Sequence, residues 1–468
     1  MAIRSNESPV WQNGPFLRIW IAQAITQTAQ NAIWYGLLVI VEEMSHSTTQ
    51  LGITILSVIL PSVLFGVPAG VYVDRWNKRT VLVVTNLLRC VVVAAFIPFH
   101  STVVLLLTMS FVFSAITQFF APAETAMIPA IVGRTRLMQA NSFFTLTFTA
   151  SQLLGLVLVG PLIVKMFGTT QLVGIVTMGP VIVELSGTTV FFMLMAALYG
   201  VSGLLVWRLP SDVVGRDEAK DVNPVAELFS QLREVRDMLL ADRAMLSAMG
   251  YLTLGGALTL IVAMLAPRFA VDVLGIAPED AVFIMAPAGV GMLAAATALS
   301  RATSGFLVDR NRVVTTGLVI VSLSLGIAAG LPAVLGMLRP EGIGVVVISE
   351  ARLPWCTSRC LSWGDVALVG SVMLATLFAG LGFAGILVAS QTLLQERAPV
   401  RARGRVFAIQ LMVANLASII PLLSVGGLSD FIGVGRVLLI LAVLVMVAAY
   451  ISRSHRADPR ADPQPSQP

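Results

Sequence analysis

Stretches of about 20 apolar residues, the length that spans a bilayer core, recur along this chain almost end to end, separated by short polar breaks. With turn and charge punctuation as boundaries, they predict helices over 16–42, 50–73, 80–100, 103–131, 139–164 and 187–208. Beyond a polar stretch, six more are expected over 245–266, 281–307, 313–337, 366–394, 405–428 and 434–452. The pattern predicts an all-α integral membrane protein with twelve transmembrane helices. It divides into an N-terminal six-helix bundle (1–209), a cytoplasmic linker (210–244), a C-terminal six-helix bundle (245–452) and a disordered cytoplasmic tail (453–468). Within the linker, Val225, Leu228, Phe229, Leu232, Val235 and Leu239 recur at helical spacing, which predicts an amphipathic helix lying on the membrane surface.

Composition agrees. Of 468 residues, 57% are hydrophobic and 12% charged, against about a quarter charged in soluble domains. An ordinary soluble enzyme is excluded. The net charge of +5 is spread over many loops and forms no nucleic-acid patch. Of the 30 Lys and Arg residues, Arg89 and Arg301 fall within helices, and only Lys165, Arg268, Arg339, Arg352, Arg359 and Arg436 lie outside if both termini are cytoplasmic. The positive-inside rule selects that orientation. The polar start, Met1 to Pro15, lacks the short apolar core of a cleaved signal, so the first helix is expected to remain.

Candidate chemistry is sparse. Three histidines and three cysteines are too scattered for a metal site, and no cofactor motif or phosphate-cradling loop occurs. No Ser/His/Asp, Cys/His or paired-carboxylate constellation suggests an enzyme. Cys356 and Cys360 share an external loop and are read as free thiols, with a local disulfide as the alternative.

An internal repeat is more informative. Gly70, Asp74 and Arg75 close the second predicted helix, and Gly305, Asp309 and Arg310 close the eighth with the same spacing, half a chain later. Repeated six-helix halves with a site between them are a plan of secondary transporters. The run Gly70-Val-Tyr-Val-Asp74-Arg75-Trp-Asn77-Lys78-Arg79 resembles the loop signature of the major facilitator superfamily, with Asn77 where the family prefers glycine. Asn is the other residue that tolerates a left-handed turn. The resemblance implies that Asp74, Arg75, Lys78 and Arg79, with Gly70, form a cytoplasmic gate, and that Gly305, Asp309 and Arg310 are its weaker second copy. It implies two pseudo-symmetric bundles that alternate access to a midplane cavity.

Further stretches resemble an exporter branch that includes enterobactin and macrolide efflux proteins: Pro122, Ala123, Ala126, Ile128, Pro129, Ala140 and Asn141; Pro267, Phe269, Ala270, Val273, Leu274 and Gly275; and Gln395, Pro399, Arg403, Gly404, Arg405, Val406 and Phe407. The helix 4 arginine frequent in drug/proton antiporters is missing between Val103 and Phe120, and of their helix 5 glycine motif only Gly155, Gly160 and Pro161 survive.

Gln23, Gln27, Gln30 and Asn31, extended by Trp20 and Trp34, follow one face of the first helix. Amides do not face lipid cheaply, so these residues line a cavity or bond neighbouring helices. Asn141, Thr145, Thr149 and Gln152 repeat the pattern on the fifth helix, and Ser110, Ser114 and Thr117 add to it on the fourth. Phe143, Phe148, Tyr251 and Met264 offer apolar contacts. Arg89 lies about 13 Å into the third helix, at 1.5 Å per residue; snorkelling is the favoured reading and pairing with an acid the alternative. Glu124 is the candidate for proton coupling, while Glu42 and Glu43, at the outer end of the first helix, are expected to be solvated.

The expectation is therefore a secondary antiporter of the plasma membrane, the inner membrane of a bacterial-type cell. It would export a small amphipathic or drug-like molecule against an ion gradient, most simply of protons. The expected partners are the lipid bilayer and that substrate, with no nucleic acid, no cofactor and a monomeric state. The rivals are a metabolite uptake transporter and a non-transporting sensor or assembly partner.

Overall fold

The computed structural model describes residues 12–99, 102–132, 140, 143–144, 147–148, 150–152, 154–167, 172–178, 181–209, 233–234, 236–301, 309–337, 363–399 and 403–454. Twelve α-helices have both ends among the described residues, and residues 140, 143–144, 147–148 and 150–152 are helical as well. The first half contains α1 (Gly14–Ser45), α2 (Thr48–Arg75), α3 (Lys78–Phe99), α4 (Val103–Val132), α5 (Gly160–Phe167) and α6 (Gly187–Trp207). The second contains α7 (Arg243–Asp272), α8 (Ala281–Arg301), α9 (Arg310–Met337), α10 (Trp363–Arg397), α11 (Arg403–Ile432) and α12 (Val434–Ser454). Ten of them, all but α1 and α5, are long and apolar enough to cross a membrane. At 32 residues α1 is also long enough, but its amides lower its mean hydropathy. A π-helical turn, Leu154–Val159, leads into α5.

One element was not expected. Strands β1 (Leu172–Met178) and β2 (Val181–Ser186) form an antiparallel hairpin before α6. Their Val- and Ile-rich runs around Gly179-Pro180 carry the ordinary hairpin signal, in the gap between the fifth and sixth predicted helices. The predicted linker helix falls largely outside the described residues, of which 233–234 and 236–241 are helical.

By proximity the chain forms two compact units. One comprises Met1–His46 and Ile53–Leu232, the other Ser47–Gly52 and Arg233–Pro468. In the first unit, Asn13 caps α1 by accepting from Phe16 N at 3.2 Å and ties it to α4 by donating to Ile131 O at 3.2 Å. Phe16, Ile19, Val81, Leu82, Phe120 and Met127 are the centre of its core. Glycines set the closest approach: a Cβ on Gly155 would collide with Thr28 O and Asn31 of α1, a use of small residues common between membrane helices.

The second unit is built likewise. Asp242 caps α7, accepting from Ala244 N at 2.8 Å and Met245 N at 3.3 Å. Helices α9 and α10 cross at Gly317 and Gly382, where a Cβ on either would lie 2.7 Å from the other's carbonyl oxygen. Helices α8 and α10 approach as closely at Gly291 and Gly380, against Leu377 O and Ala288 O. Two buried hydroxyls bond backbone across helices: Ser322 donates to Ala442 O at 2.7 Å and Thr376 to Ile284 O at 2.8 Å. Ser47–Gly52, which includes the first turn of α2, belongs to this unit. There Asp430, near the end of α11, accepts from Thr48 N at 2.6 Å, Thr49 N at 3.0 Å, Thr49 Oγ1 at 2.6 Å and Ser47 Oγ at 2.7 Å.

Candidate functional site

The first unit encloses a polar cluster inside its helices. Arg89 of α3 is 1% exposed. Its guanidinium carbon lies 4.2 Å from the Phe120 ring centroid and 5.2 Å from that of Tyr199, both within cation–π range. Glu124, one helical turn from Phe120 on α4, is 7% exposed. Arg89 therefore does not snorkel. The α3 helix carries it to a level where the Phe120 and Tyr199 rings cover the guanidinium, so aromatic faces replace the water it would otherwise seek, with the buried Glu124 one turn further along α4.

Around the pair runs a belt of neutral polar groups from α1, α3 and α6. Tyr199 Oη donates to Thr26 O at 3.3 Å, Ser202 Oγ to Ala22 O at 3.2 Å, and Asn86 Nδ2 to Ser202 Oγ at 3.4 Å. Gln23 is 6% exposed, and its Oε1, Asn86 Oδ1, Glu124 Oε1 and Arg89 Nε and Nη2 have no hydrogen-bond partner among the described residues. Enclosed polar atoms are normally paired. Such a concentration of unpaired donors and acceptors marks a site whose protonation and bonding can change. Sequence reading missed Asn86, Tyr199 and Ser202; the signal was Asn86, three residues before Arg89 on the same helical face.

The amide stripe on α1 divides. Gln23 is buried in this belt, whereas Gln27, Gln30, Asn31 and Trp34 are half-buried. Asn31 Nδ2 donates to Gln27 O at 2.8 Å, within its own helix. Trp20 reaches across to the fifth helical segment, donating from Nε1 to Thr147 Oγ1 at 2.7 Å and meeting Phe143 edge-on. Gln152 is exposed, while Asn141, Thr145 and Thr149 lie outside the described residues. On α4 the hydroxyls are spent on backbone: Ser110 on Leu106 O, Ser114 on Val58 O and Thr117 on Phe113 O. Phe148 is exposed, Tyr251 half-buried, and Met264 lies in the core of the second unit. Glu42 corrects its expectation. The α1 helix continues to Ser45 before His46 closes it with a left-handed φ of 48°, so Glu42 falls inside the helix, buried at 1% exposure, with Glu43 half-buried beside it.

In the repeated loops, Asp74 and Arg75 end α2, and Arg75 is exposed. Asn77 caps α3, its Oδ1 accepting from Thr80 N at 3.2 Å. His46 is the one non-glycine residue with positive φ among those described, so Asn77 serves as a cap and not as a left-handed turn. Lys78 is buried, and Arg79 donates to Trp207 O. In the second copy Gly305 lies outside the described residues. Asp309 caps α9 by accepting from Arg312 N at 3.1 Å, and pairs with Arg312 Nε at 2.9 Å. Arg310 pairs with Glu396 at 3.1 Å, and Asp242 with Arg397 at 3.6 Å. Cys90 is a free thiol beside Gly200; Cys356 and Cys360 lie outside the described residues. Among the described residues no group of His, Cys, Asp and Glu could hold a metal ion.

The model of the Major Facilitator Superfamily matches residues 19–353. An uncharacterized MFS-type transporter of Bacillus subtilis (strain 168), YfiS, is 23% identical, the match covering 96% of this chain and 97% of the relative. Among solved structures, the nucleoside transporter NupG is similar at 14% identity with a TM-score of 0.64, over 95% of this chain and 99% of that one. A bacterial homolog of the human lysosomal transporter Spinster, inward-facing and occupied, is similar at 12% identity with a TM-score of 0.65, over 98% and 100%. These likenesses establish the shared fold.

Proposed function

The chain belongs to the Major Facilitator Superfamily, and from that premise we propose that it is a proton-coupled exporter of small amphipathic or drug-like molecules. It would lie in the plasma membrane with both termini cytoplasmic, as its distribution of basic loops supports. The observation that carries the coupling is the enclosure of Glu124 beside Arg89. Ionised, Glu124 compensates the guanidinium held on the Phe120 ring. Protonated, it is neutral and Arg89 loses that compensation. Loading and release of one proton therefore change how α3, α4 and α6 are held together, and a two-state transporter can use that difference to couple proton entry to substrate exit.

Substrate class follows from the wall. The half-buried face of α1 offers amides and an indole, Gln27, Gln30, Asn31 and Trp34, without a formal charge. Such a surface suits neutral or weakly polar cargo with aromatic or aliphatic bulk. With Asn141, Thr145, Thr149 and Gln152 it would form the first-half wall of the cavity. Asp74, with Arg75, Lys78 and Arg79 and with Gly70 giving the helix end its small profile, would latch the cytoplasmic side. Gly305, Asp309 and Arg310 would be the second copy, whose described charges are tied to α9 and α10 within their own unit. The chain would act as a monomer.

The test is transport by the purified protein in sealed vesicles, against a panel of fluorescent amphiphiles, antibiotics and nucleosides, with and without an imposed pH gradient. Gradient-driven extrusion of amphiphiles supports the proposal. Accumulation of a metabolite, or binding without flux, would replace it by the uptake or the sensor reading.

A further inference from the structure

A long apolar groove opens on the first unit between α2, α3 and α4, with a volume of about 670 Å³. We propose that it is a binding site for an anionic phospholipid, with one acyl chain in the groove and the phosphate at the basic α2–α3 loop. The lining is hydrocarbon and aromatic: Phe65, Val84, Leu88, Phe111, Ile116 and Phe119 among others. Of its polar residues, Asn77 and Thr80 lie at the loop end, while Thr85 sits about two turns into α3. The Thr85 hydroxyl is already committed to Val81 O at 2.8 Å. A transported solute would ask for convergent polar groups, and an acyl chain asks for none.

Depth and charge both match a lipid. From Asn77 to Leu88 the groove follows α3 for about 16 Å at 1.5 Å per residue, close to one leaflet of a hydrocarbon core about 30 Å thick. Trp76, 50% exposed, stands at the loop end, stacked between Tyr72 at 5.7 Å and Phe119 at 6.3 Å. Tryptophan favours the headgroup boundary. The adjoining loop carries Arg75, Lys78 and Arg79 against the single acid Asp74. Arg75 is exposed and makes no ion pair among the described residues, so it is the cation available to a phosphate.

Trp76 is itself the reporter. In a variant keeping Trp76 as its only tryptophan, in vesicles containing chain-brominated phosphatidylglycerol or phosphatidylcholine, the anionic lipid is expected to quench Trp76 at about fivefold lower mole fraction, the discrimination one basic residue gives at a charged surface. Arg75→Gln should remove that preference while keeping the quenching, and Ala115→Phe, which fills the groove from α4, should reduce it. Equal quenching by the two lipids would overturn the proposal. If the single-tryptophan protein does not fold, native mass spectrometry of the otherwise unaltered chain decides. Retained phosphatidylglycerol that falls in Ala115→Phe supports the site, and equal retention in both contradicts it.

Discussion

The guanidinium carbon of Arg89 lies 4.2 Å from the centre of the Phe120 ring, in a place where the arginine is 1% exposed. A cation held on an aromatic face inside a helical bundle calls for an acid in the same enclosure, and Glu124, one turn along α4 from Phe120 and 7% exposed, is the proposed one. Removing one member of a buried charge pair commonly costs about 3–5 kcal/mol, because the other is left uncompensated. Arg89→Met should therefore lower the melting temperature in detergent markedly. Glu124→Gln in the same protein should restore part of the loss, and thermal unfolding of the single and double variants measures that coupling.

Asp430 holds the first turn of α2 through two backbone amides and two hydroxyls. It supplies a helix cap from another helix, and losing a cap costs about 0.5–2 kcal/mol. In Asp430→Ala, amide hydrogen exchange at Thr48 and Thr49 should accelerate, with exchange in the middle of α2 unchanged. Unaltered exchange at Thr48 and Thr49 would show that the cap contributes nothing.

The close crossing of α8 and α10 depends on Gly380, whose added Cβ would run into the Ala288 carbonyl. Backbone cannot yield as a side-chain tip can, and overpacking costs about 1–3 kcal/mol. Gly380→Ala is expected to lower thermal stability by that amount, whereas Gly370→Ala, inside the same helix with nothing within 4 Å, should leave it unchanged or raise it by up to about 1 kcal/mol.

If Asp74 is the latch, Asp74→Asn should abolish or sharply slow transport at normal membrane abundance. Flux equal to the parent protein would remove Asp74 from the gate.

The α1 stripe predicts a graded pattern of access. In a cysteine-free background, cysteines at Gln27 and Gln30 should react with a water-soluble thiol reagent, while one at Gln23, buried in the belt with Asn86 and Tyr199, should react slowly. Protection of all three to the level of lipid-facing controls would make the stripe a packing surface.

Much of this architecture is legible in the sequence because hydrophobic length and local spacing report it directly. The ten membrane-length helices and the amide face of α1 fall in this class, whereas the fifth predicted helix, 139–164, is broken by the π-helical turn Leu154–Val159. Relationships between distant residues do not. Asp430 reads as an ordinary charge at a helix end, and its partner Thr49 stands 381 residues away. Arg89 appears a snorkelling residue until Phe120 and Tyr199, from two other helices, are placed over its guanidinium. Glu42 was misjudged over a boundary: three more residues of helix before His46 moved it from solvent into the bundle. The hairpin before α6 is marked in the sequence only by its short β-branched runs, a weak signal in a chain whose apolar stretches are otherwise helical.

In the proposed mechanism Glu124 carries the coupled proton. Its most direct test follows proton movement with an internal pH indicator in vesicles while a transported amphiphile is driven across the membrane by its own gradient, for the parent protein and for Glu124→Gln. Substrate-dependent proton flux is expected in the parent protein, and in Glu124→Gln continued substrate exchange without proton flux. Substrate-dependent proton movement that persists undiminished in Glu124→Gln would contradict it.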